Sequence, residues 1–199
     1  MKTFDLYLKP EKCTFEQDQI EFLGVTIGKG TIQMDPSKVS AVEKWPTPQN
    51  PTDIWAFLGF TGYYQYFIEK YSLLARPLLD PTKKLVEWYW GKPQEKAFQL
   101  LKQKMCTRPV LMQPDFNKRF YLQTNASGYR LGVVLSQEGG EPQQPPNSKL
   151  KLHPLAYYSA TFTSTEQNYD IYEWELLAVM KSLAHWRPYL GWTKVPFII

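Results

Sequence analysis

The stretch that decides the fold is FYLQTNASGYRLGVVLSQ, which runs from Phe120 to Gln137. Its apolar residues alternate with polar or small ones on both sides of a tight Asn-Ala-Ser-Gly corner, Asn125–Gly128; they are Phe120, Leu122, Leu131, Val133 and Leu135. A period of two is typical of strands with one buried face, so the stretch predicts a β-hairpin turning at that corner. Enzymes of the α/β and α+β classes often place a catalytic carboxylate at the end of such a first strand. Here the residue is an amide, Asn125.

Composition limits the class of protein. The chain has 199 residues, 43% hydrophobic and 16% aromatic, with a formal net charge of +4, which suits one or two small domains with packed cores. No apolar run approaches the roughly 20 residues that cross a bilayer, and the first residues lack the features of a signal peptide. Cys13 and Cys106 fit no metal spacing and are expected to be reduced. We therefore expect an intracellular protein, cytoplasmic or nuclear, without membrane contact, and its charge permits contact with phosphate without requiring it.

The first half of the chain predicts short strands followed by helices. Ile20–Ile27 and Thr31–Met34 are β runs joined at Gly28-Lys29-Gly30, a hairpin signal. Asp35 is expected to cap a helix that opens with Pro36 and ends before Pro46.

Two further helices are predicted before residue 109. Thr52 is expected to cap the first, and GYYQYFIEKYSLLARPL continues it with Tyr64, Phe67, Ile68 and Tyr71 at helical spacing. The second runs from Pro93 to about Lys104, and Pro109–Asp115 is an extended link into the hairpin.

The second half predicts more strands around a long helix. Gly139–Pro154 is polar and proline-rich, which favours an exposed loop, and His153–Ala160 is a third strand. Thr163 and Glu166 form a capping-box pattern for a helix over residues 164–187, and Val195–Ile199 begins a fourth strand. A helical stripe is expected to be buried against the sheet: Tyr169, Tyr172, Leu176, Val179, Met180, Leu183 and Trp186.

Two glutamates border that stripe. Glu175 lies beside Val179 and Glu173 beside Met180, so either could reach Asn125, although the pattern alone favours solvated flank positions for both. A two-metal phosphodiester hydrolase needs several converging carboxylates. The acids after residue 118 are few, and no aspartate lies on a strand: Glu138, Glu141, Glu166, Asp170, Glu173 and Glu175.

The order of these motifs resembles the later part of a reverse transcriptase polyprotein of gypsy-like long-terminal-repeat retrotransposons. LKPEKCTFEQDQIEFLGVTI resembles the end of the palm (1–34), and KVSAVEKWPTPQNPTDIWAFLGFTGYYQYFIEKYSLLARPL resembles the helical thumb (35–92). EKAFQLLKQKMCTRPVLMQPD resembles the connector (93–118), and the chain from the hairpin to VPFII resembles the start of an RNase H-like domain (119–199). The implied fold is mixed α+β, with a β-hairpin, a helical thumb and an incomplete RNase H-like sheet carrying one long helix.

The resemblance also implies partners and site residues. Phe22-Leu23-Gly24 corresponds to the hairpin that grips a primer terminus, and the thumb adds Gly59, Tyr63 and Tyr64 as expected nucleic-acid contacts, although helical spacing places most thumb aromatics in the core. The expected partners are an RNA·DNA hybrid or primer-template and the rest of the polyprotein.

The departures from the family pattern bear on catalysis. The family has Thr-Asp-Ala-Ser where this chain has Thr124-Asn125-Ala126-Ser127, while its Glu-Leu-Leu-Ala carboxylate is retained as Glu175. The family's third aspartate would follow Ile199, and its polymerase Asp-Asp pair would precede Met1. We therefore expect that Mg²⁺ or Mn²⁺, the family's cofactor, is not bound productively at Asn125 and Glu175. The expectation is an inactive relative of an RNA-directed DNA polymerase and ribonuclease H; the alternatives are a non-catalytic nucleic-acid-binding module and a non-functional retroelement remnant.

Overall fold

The computed structural model describes residues 9–107, 110–139 and 151–199. Two antiparallel sheets organise this mixed α+β fold, with strand orders β1-β2-β3-β4 and β5-β6-β7. The strands are β1 (Gln19–Phe22), β2 (Val25–Gly28), β3 (Thr31–Met34), β4 (Val110–Met112), β5 (Phe120–Ser127), β6 (Arg130–Glu138) and β7 (Leu152–Thr161). The helices are α1 (Pro36–Glu43), α2 (Pro51–Tyr63), α3 (Tyr71–Leu79), α4 (Lys92–Cys106), α5 (Ile171–His185) and α6 (Arg187–Leu190).

The first sheet contains one turn that the sequence predicted and one that it missed. Lys29-Gly30 joins β2 to β3 as expected, with positive φ at both residues. The run Ile20–Ile27, predicted as one strand, is two strands, because Leu23 and Gly24 also take positive φ and reverse the chain. Val110–Met112, predicted as an extended link, pairs with β3 and completes this sheet.

The helices α1 and α2 differ in how well their starts were predicted. The Asp35 carboxylate accepts a hydrogen bond from Ser37 N at 2.7 Å, which confirms it as the cap of α1. The cap of α2 is Asn50, not Thr52, because its side chain accepts from Asp53 N at 3.0 Å and Pro51 occupies the first helical position.

The helical pattern of residues 64–71 is interrupted in the structure. After α2 ends at Tyr63, a 3₁₀ turn covers Gln65–Phe67, and Lys70, at a φ of 58°, redirects the chain into α3. The four aromatic and aliphatic residues at helical spacing are nevertheless buried in the core of the first sheet: Tyr64, Phe67, Ile68 and Tyr71. Helix α4 agrees with its prediction within two residues at each end.

The hairpin of β5 and β6 is confirmed, but its turn lies further along the chain. Ser127 pairs with Arg130, so the turn is Gly128-Tyr129, and Asn125 lies inside β5 opposite Gly132. The predicted corner, Asn125–Gly128, is therefore mostly strand. The alternating apolar residues are buried as expected: Phe120, Leu122, Leu131, Val133 and Leu135.

The long helix is shorter than predicted, and only part of its predicted stripe is buried: Trp186 is buried as expected and Leu183 packs against the core. The Thr163–Glu166 box is present but holds a 3₁₀ turn, and α5 begins after Asp170, whose carboxylate accepts from Tyr172 N and Glu173 N. Much of the predicted stripe is exposed: Tyr169, Tyr172, Leu176 and Met180. Ala178 and Ser182 are the buried residues of α5, and both have small side chains.

The second sheet includes the last residues of the predicted insertion loop and part of the predicted fourth strand. Residues 140–150 of the predicted insertion loop lie outside the described residues, and its last residues, Leu152–Pro154, belong to β7. Ile198 pairs in parallel with Tyr121, so the predicted fourth strand is present beside β5 as a single bridge. No helix in the described part of the chain is both long and apolar enough to cross a membrane.

Candidate functional site

The turn between β1 and β2 is an exposed apolar tip. Phe22 is 56% exposed and Leu23 70% exposed. Leu23 has a φ of 49° and Gly24 a φ of 79°, as two-residue hairpin turns of the primed type require. A leucine with positive φ is sterically unfavourable, so the surrounding structure must hold this tip in place.

Two consecutive tyrosines of the α2 terminus hold the tip. The Tyr63 hydroxyl donates to Leu23 O at 2.7 Å, and the Tyr64 hydroxyl donates to Gly24 O at 3.1 Å. Gly24 O also accepts from Asp35 N at 3.1 Å. A Cβ at residue 24 would lie 2.6 Å from the Tyr64 hydroxyl oxygen, so only glycine allows this approach. The tip is therefore a fixed element, although 40 residues separate it from its supports.

Tyr64 has a different role from the direct nucleic-acid contact that was expected. Its ring is only 3% exposed, so it cannot stack on a base, and it acts by supporting Gly24. Burial raises the pKa of the Tyr64 hydroxyl above its ordinary value, which keeps the group a hydrogen-bond donor.

The other predicted contact residues share an accessible surface. Tyr63 is 51% exposed, and it lies on the same face of α2 as Gly59 and Trp55, at spacings of four residues. Gly59 has open space where a Cβ would stand. Trp55 was not among the predicted contact residues; its spacing of four from Gly59 is the signal that could have identified it.

A cleft at the second sheet brings Asn125 and Glu175 together. It has a volume of about 540 Å³, and its lining includes Thr124, Asn125, Tyr172, Glu175 and Leu176. Asn125 and Glu175 are both solvent-exposed. Glu173 does not line this cleft, because its carboxylate accepts from Asp170 N at 3.1 Å in the capping box of α5.

The donor set of this cleft does not fit a pair of divalent cations. It offers one carboxylate and one amide, whereas a two-metal site needs several carboxylates to bridge and neutralise the ions. Across residues 9–107, 110–139 and 151–199, no three His, Cys, Asp or Glu side chains gather closely enough to hold a metal ion.

The sequence and the fold agree with a known family. The model of the RNase H-like domain found in reverse transcriptase matches residues 90–197, more than half of the chain, and the chain belongs to this family. Among curated relatives, the Tf2-3 and Tf2-4 transposon polyproteins of Schizosaccharomyces pombe are each 36% identical to it over 199 residues, which is 100% of this chain. The chain spans 14% of the length of each polyprotein.

Solved structures show the same fold. The foamy viral protease-reverse transcriptase in complex with RNA/DNA hybrid has a TM-score of 0.75 at 19% identity, covering 94% of this chain and 24% of that one. The same type of enzyme in complex with dsDNA has a TM-score of 0.72 at 20% identity, covering 94% of this chain and 37% of that one. At this level of identity the likeness establishes the architecture.

Proposed function

We propose that this chain is part of a gypsy-like retrotransposon reverse transcriptase and that it binds an RNA·DNA hybrid or primer-template without cleaving the RNA. The proposed organisation is a palm end (1–34), a thumb (35–92), a connector (93–118) and an RNase H-like domain (119–199). The observation that carries the proposal is that Asn125 lines the same cleft as Glu175, at a position where the pattern that this chain resembles has an aspartate.

The absence of cleavage follows from the chemistry of an amide. Asn125 can offer one neutral oxygen to a cation, but it cannot bridge two cations, and it contributes no negative charge. Among the described residues, Glu175 is the one carboxylate that lines the cleft, and one carboxylate leaves most of the positive charge of two Mg²⁺ or Mn²⁺ ions without compensation. The cleft therefore supports contact with a nucleic-acid strand rather than metal-dependent hydrolysis.

The binding surface follows from the accessible aromatic residues of the first sheet and α2. Phe22 and Leu23 at the tip, with Tyr63 and Trp55 on α2, are each more than half exposed. Stacking of a base or sugar on such a side chain is worth about 1–3 kcal/mol. The two structural relatives are complexes with RNA/DNA hybrid and with dsDNA, which supports a duplex as the ligand here. The rest of a longer polyprotein is the proposed protein partner, since the relatives are much longer than this chain.

A labelled RNA·DNA hybrid tests both parts of the proposal. The wild-type chain should bind it with an affinity that falls as salt rises, and it should release no RNA fragments with Mg²⁺ or Mn²⁺. Phe22→Ala should weaken binding about tenfold, whereas Tyr89→Ala, which alters an exposed aromatic residue outside this surface, should not.

Two results would contradict the proposal. Metal-dependent cleavage by the wild type that Glu175→Gln abolishes would show that the cleft is catalytic despite Asn125. Equal hybrid affinity for wild type and Phe22→Ala would exclude the aromatic tip from the binding surface.

A further inference from the structure

A second cleft lies at the second sheet and shares Thr124 and Asn125 with the first. Leu131, Val133 and Leu135 of β6 are buried towards the core, so the alternate residues Arg130, Gly132 and Val134 face away from it. They line a cleft of about 610 Å³ together with Lys70 and Ser72 from the start of α3. We name it the Arg130 cleft; Glu175 is not among the residues that line it.

The Arg130 cleft contains two buried polar atoms without a partner. Arg130 Nη1 and Ser72 Oγ are inaccessible to solvent and make no hydrogen bond within the described residues. Burying a polar group without a partner costs about 1–3 kcal/mol, and more for a charged group. Arg130 belongs to β6 and Ser72 to α3, and both residues line the same cleft, so one ligand bound there can contact both side chains.

The charges of the cleft favour an anionic ligand. Its charged side chains are Arg130, Lys70 and Glu69. Glu69 is 3.1 Å from Lys70 Nζ, and no carboxylate in the described ranges forms an ion pair with Arg130. The remaining lining is rich in neutral donors, including Gln123, Asn125 and Ser127.

The shape of the cleft leaves room for a compact group above Gly132. A Cβ at residue 132 would find a single atom within 4 Å, Lys70 Cγ at 4.0 Å. The backbone N–H of Ser72 at the start of α3 is not available to a ligand, because it already donates to Ser159 Oγ at 2.9 Å. The side chains of Arg130, Ser72 and Lys70 are therefore donors that this cleft offers to a ligand.

We propose that the Arg130 cleft binds a phosphate group, with Arg130 as its principal ligand and with Ser72 and Lys70 as further donors. A guanidinium matches phosphate oxygens in geometry and charge, and hydrogen bonds between charged partners are the strong ones. The phosphate can belong to a free phosphate ion or to a phosphodiester of a nucleic-acid strand. The site is distinct from the aromatic tip, so it does not rest on hybrid binding.

NMR titration of the Arg130 side-chain N–H signal tests the proposal with inorganic phosphate, with a thymidine trinucleotide and with its uncharged methylphosphonate analogue. Inorganic phosphate, the trinucleotide or both should shift this signal. The ligand that does so shows whether the cleft takes a free phosphate ion or a phosphodiester of a nucleic-acid strand. The methylphosphonate should not shift it. Arg130→Gln should weaken phosphate binding by about tenfold or more, and the Ser72 backbone signal reports binding in this variant. Lys96→Gln, outside the cleft, should leave the affinity unchanged.

A matched pair at Gly132 keeps the test decisive if Arg130→Gln does not fold. Gly132→Glu places a carboxylate beside Arg130 and should abolish binding, while Gly132→Gln, of the same size without the charge, should bind more tightly than Gly132→Glu. The proposal is overturned if neither phosphate nor phosphodiester binds the folded wild type. It is equally overturned if Arg130→Gln binds as tightly as wild type, or if the two Gly132 variants bind alike.

Discussion

Gly24→Ala should destabilise the protein more than the same change at Gly30. Both glycines have positive φ, 79° and 72°, so each alanine incurs a left-handed backbone cost of about 1–2 kcal/mol. At Gly30 no atom lies within 4 Å of the new methyl group, and the backbone cost is the whole effect. At Gly24 the methyl group would stand 2.6 Å from the Tyr64 hydroxyl oxygen.

That contact adds a second cost. Because the Tyr64 ring is buried in the core, the shift that relieves this contact is costly, and its hydrogen bond to Gly24 O is lost, at about 0.5–1.5 kcal/mol. Gly24→Ala should therefore lower the free energy of unfolding by about 2–3 kcal/mol in total, and Gly30→Ala by about 1 kcal/mol less. For a chain of this size the corresponding fall in melting temperature is about 2–4 °C for each kcal/mol.

Urea denaturation followed by circular dichroism measures these differences. In a Tyr64→Phe background the hydroxyl is absent, so Gly24→Ala should cost no more than Gly30→Ala. Equal costs for the two alanines in the wild-type background would refute the contact between Gly24 and Tyr64. So would a cost at Gly24 that Tyr64→Phe leaves unchanged.

Three further predictions follow from single contacts. Leu23→Asn should stabilise the fold by about 0.5–1 kcal/mol, since asparagine tolerates positive φ better than leucine, yet should weaken hybrid binding; a loss of stability in urea would contradict it. Asp170→Ala should cost about 1 kcal/mol by removing the cap of α5, whereas Glu175→Gln at an exposed position should leave the unfolding midpoint unchanged. The hydrogen bond from Lys181 holds the pKa of Glu166 below its ordinary value of 4.5, so this pair stabilises the fold above about pH 4.5 and its contribution is lost as the pH falls through the lowered pKa. Lys181→Gln should flatten that decline in unfolding free energy, and an unchanged pH dependence would exclude the pair as its source.

Much of the local structure was predictable because its causes are local. The alternation of Phe120 and Leu122 predicts a strand with one buried face, and Asp35 followed by Pro36 favours the start of a helix; the structure has both. The family pattern likewise identified the RNase H-like part, since several motifs occur in the same order. The identity of residue 125 as an amide is a property of the sequence alone.

The choice between two apolar faces of α5 was not predictable from periodicity. The helix carries Tyr172, Leu176 and Met180 on one side and Trp174 and Leu177 on another. Both stripes satisfy a helical period. The side of α5 that packs against the sheet is the one with Ala178, and which side packs depends on how closely the side chains fit the sheet. The larger stripe therefore remains exposed.

The sequence by itself determined the β5–β6 hairpin, the starts of α1 and α4, the RNase H-like family and the amide at residue 125. Only the tertiary structure decided that Asn125 lies within β5 beside Glu175, that Tyr63 and Tyr64 hold the tip at Leu23-Gly24, and that Arg130 meets Ser72 in one cleft. The reason is distance along the chain. These groups are separated by 40 residues or more, and their approach depends on strand register and packing, which no local pattern encodes.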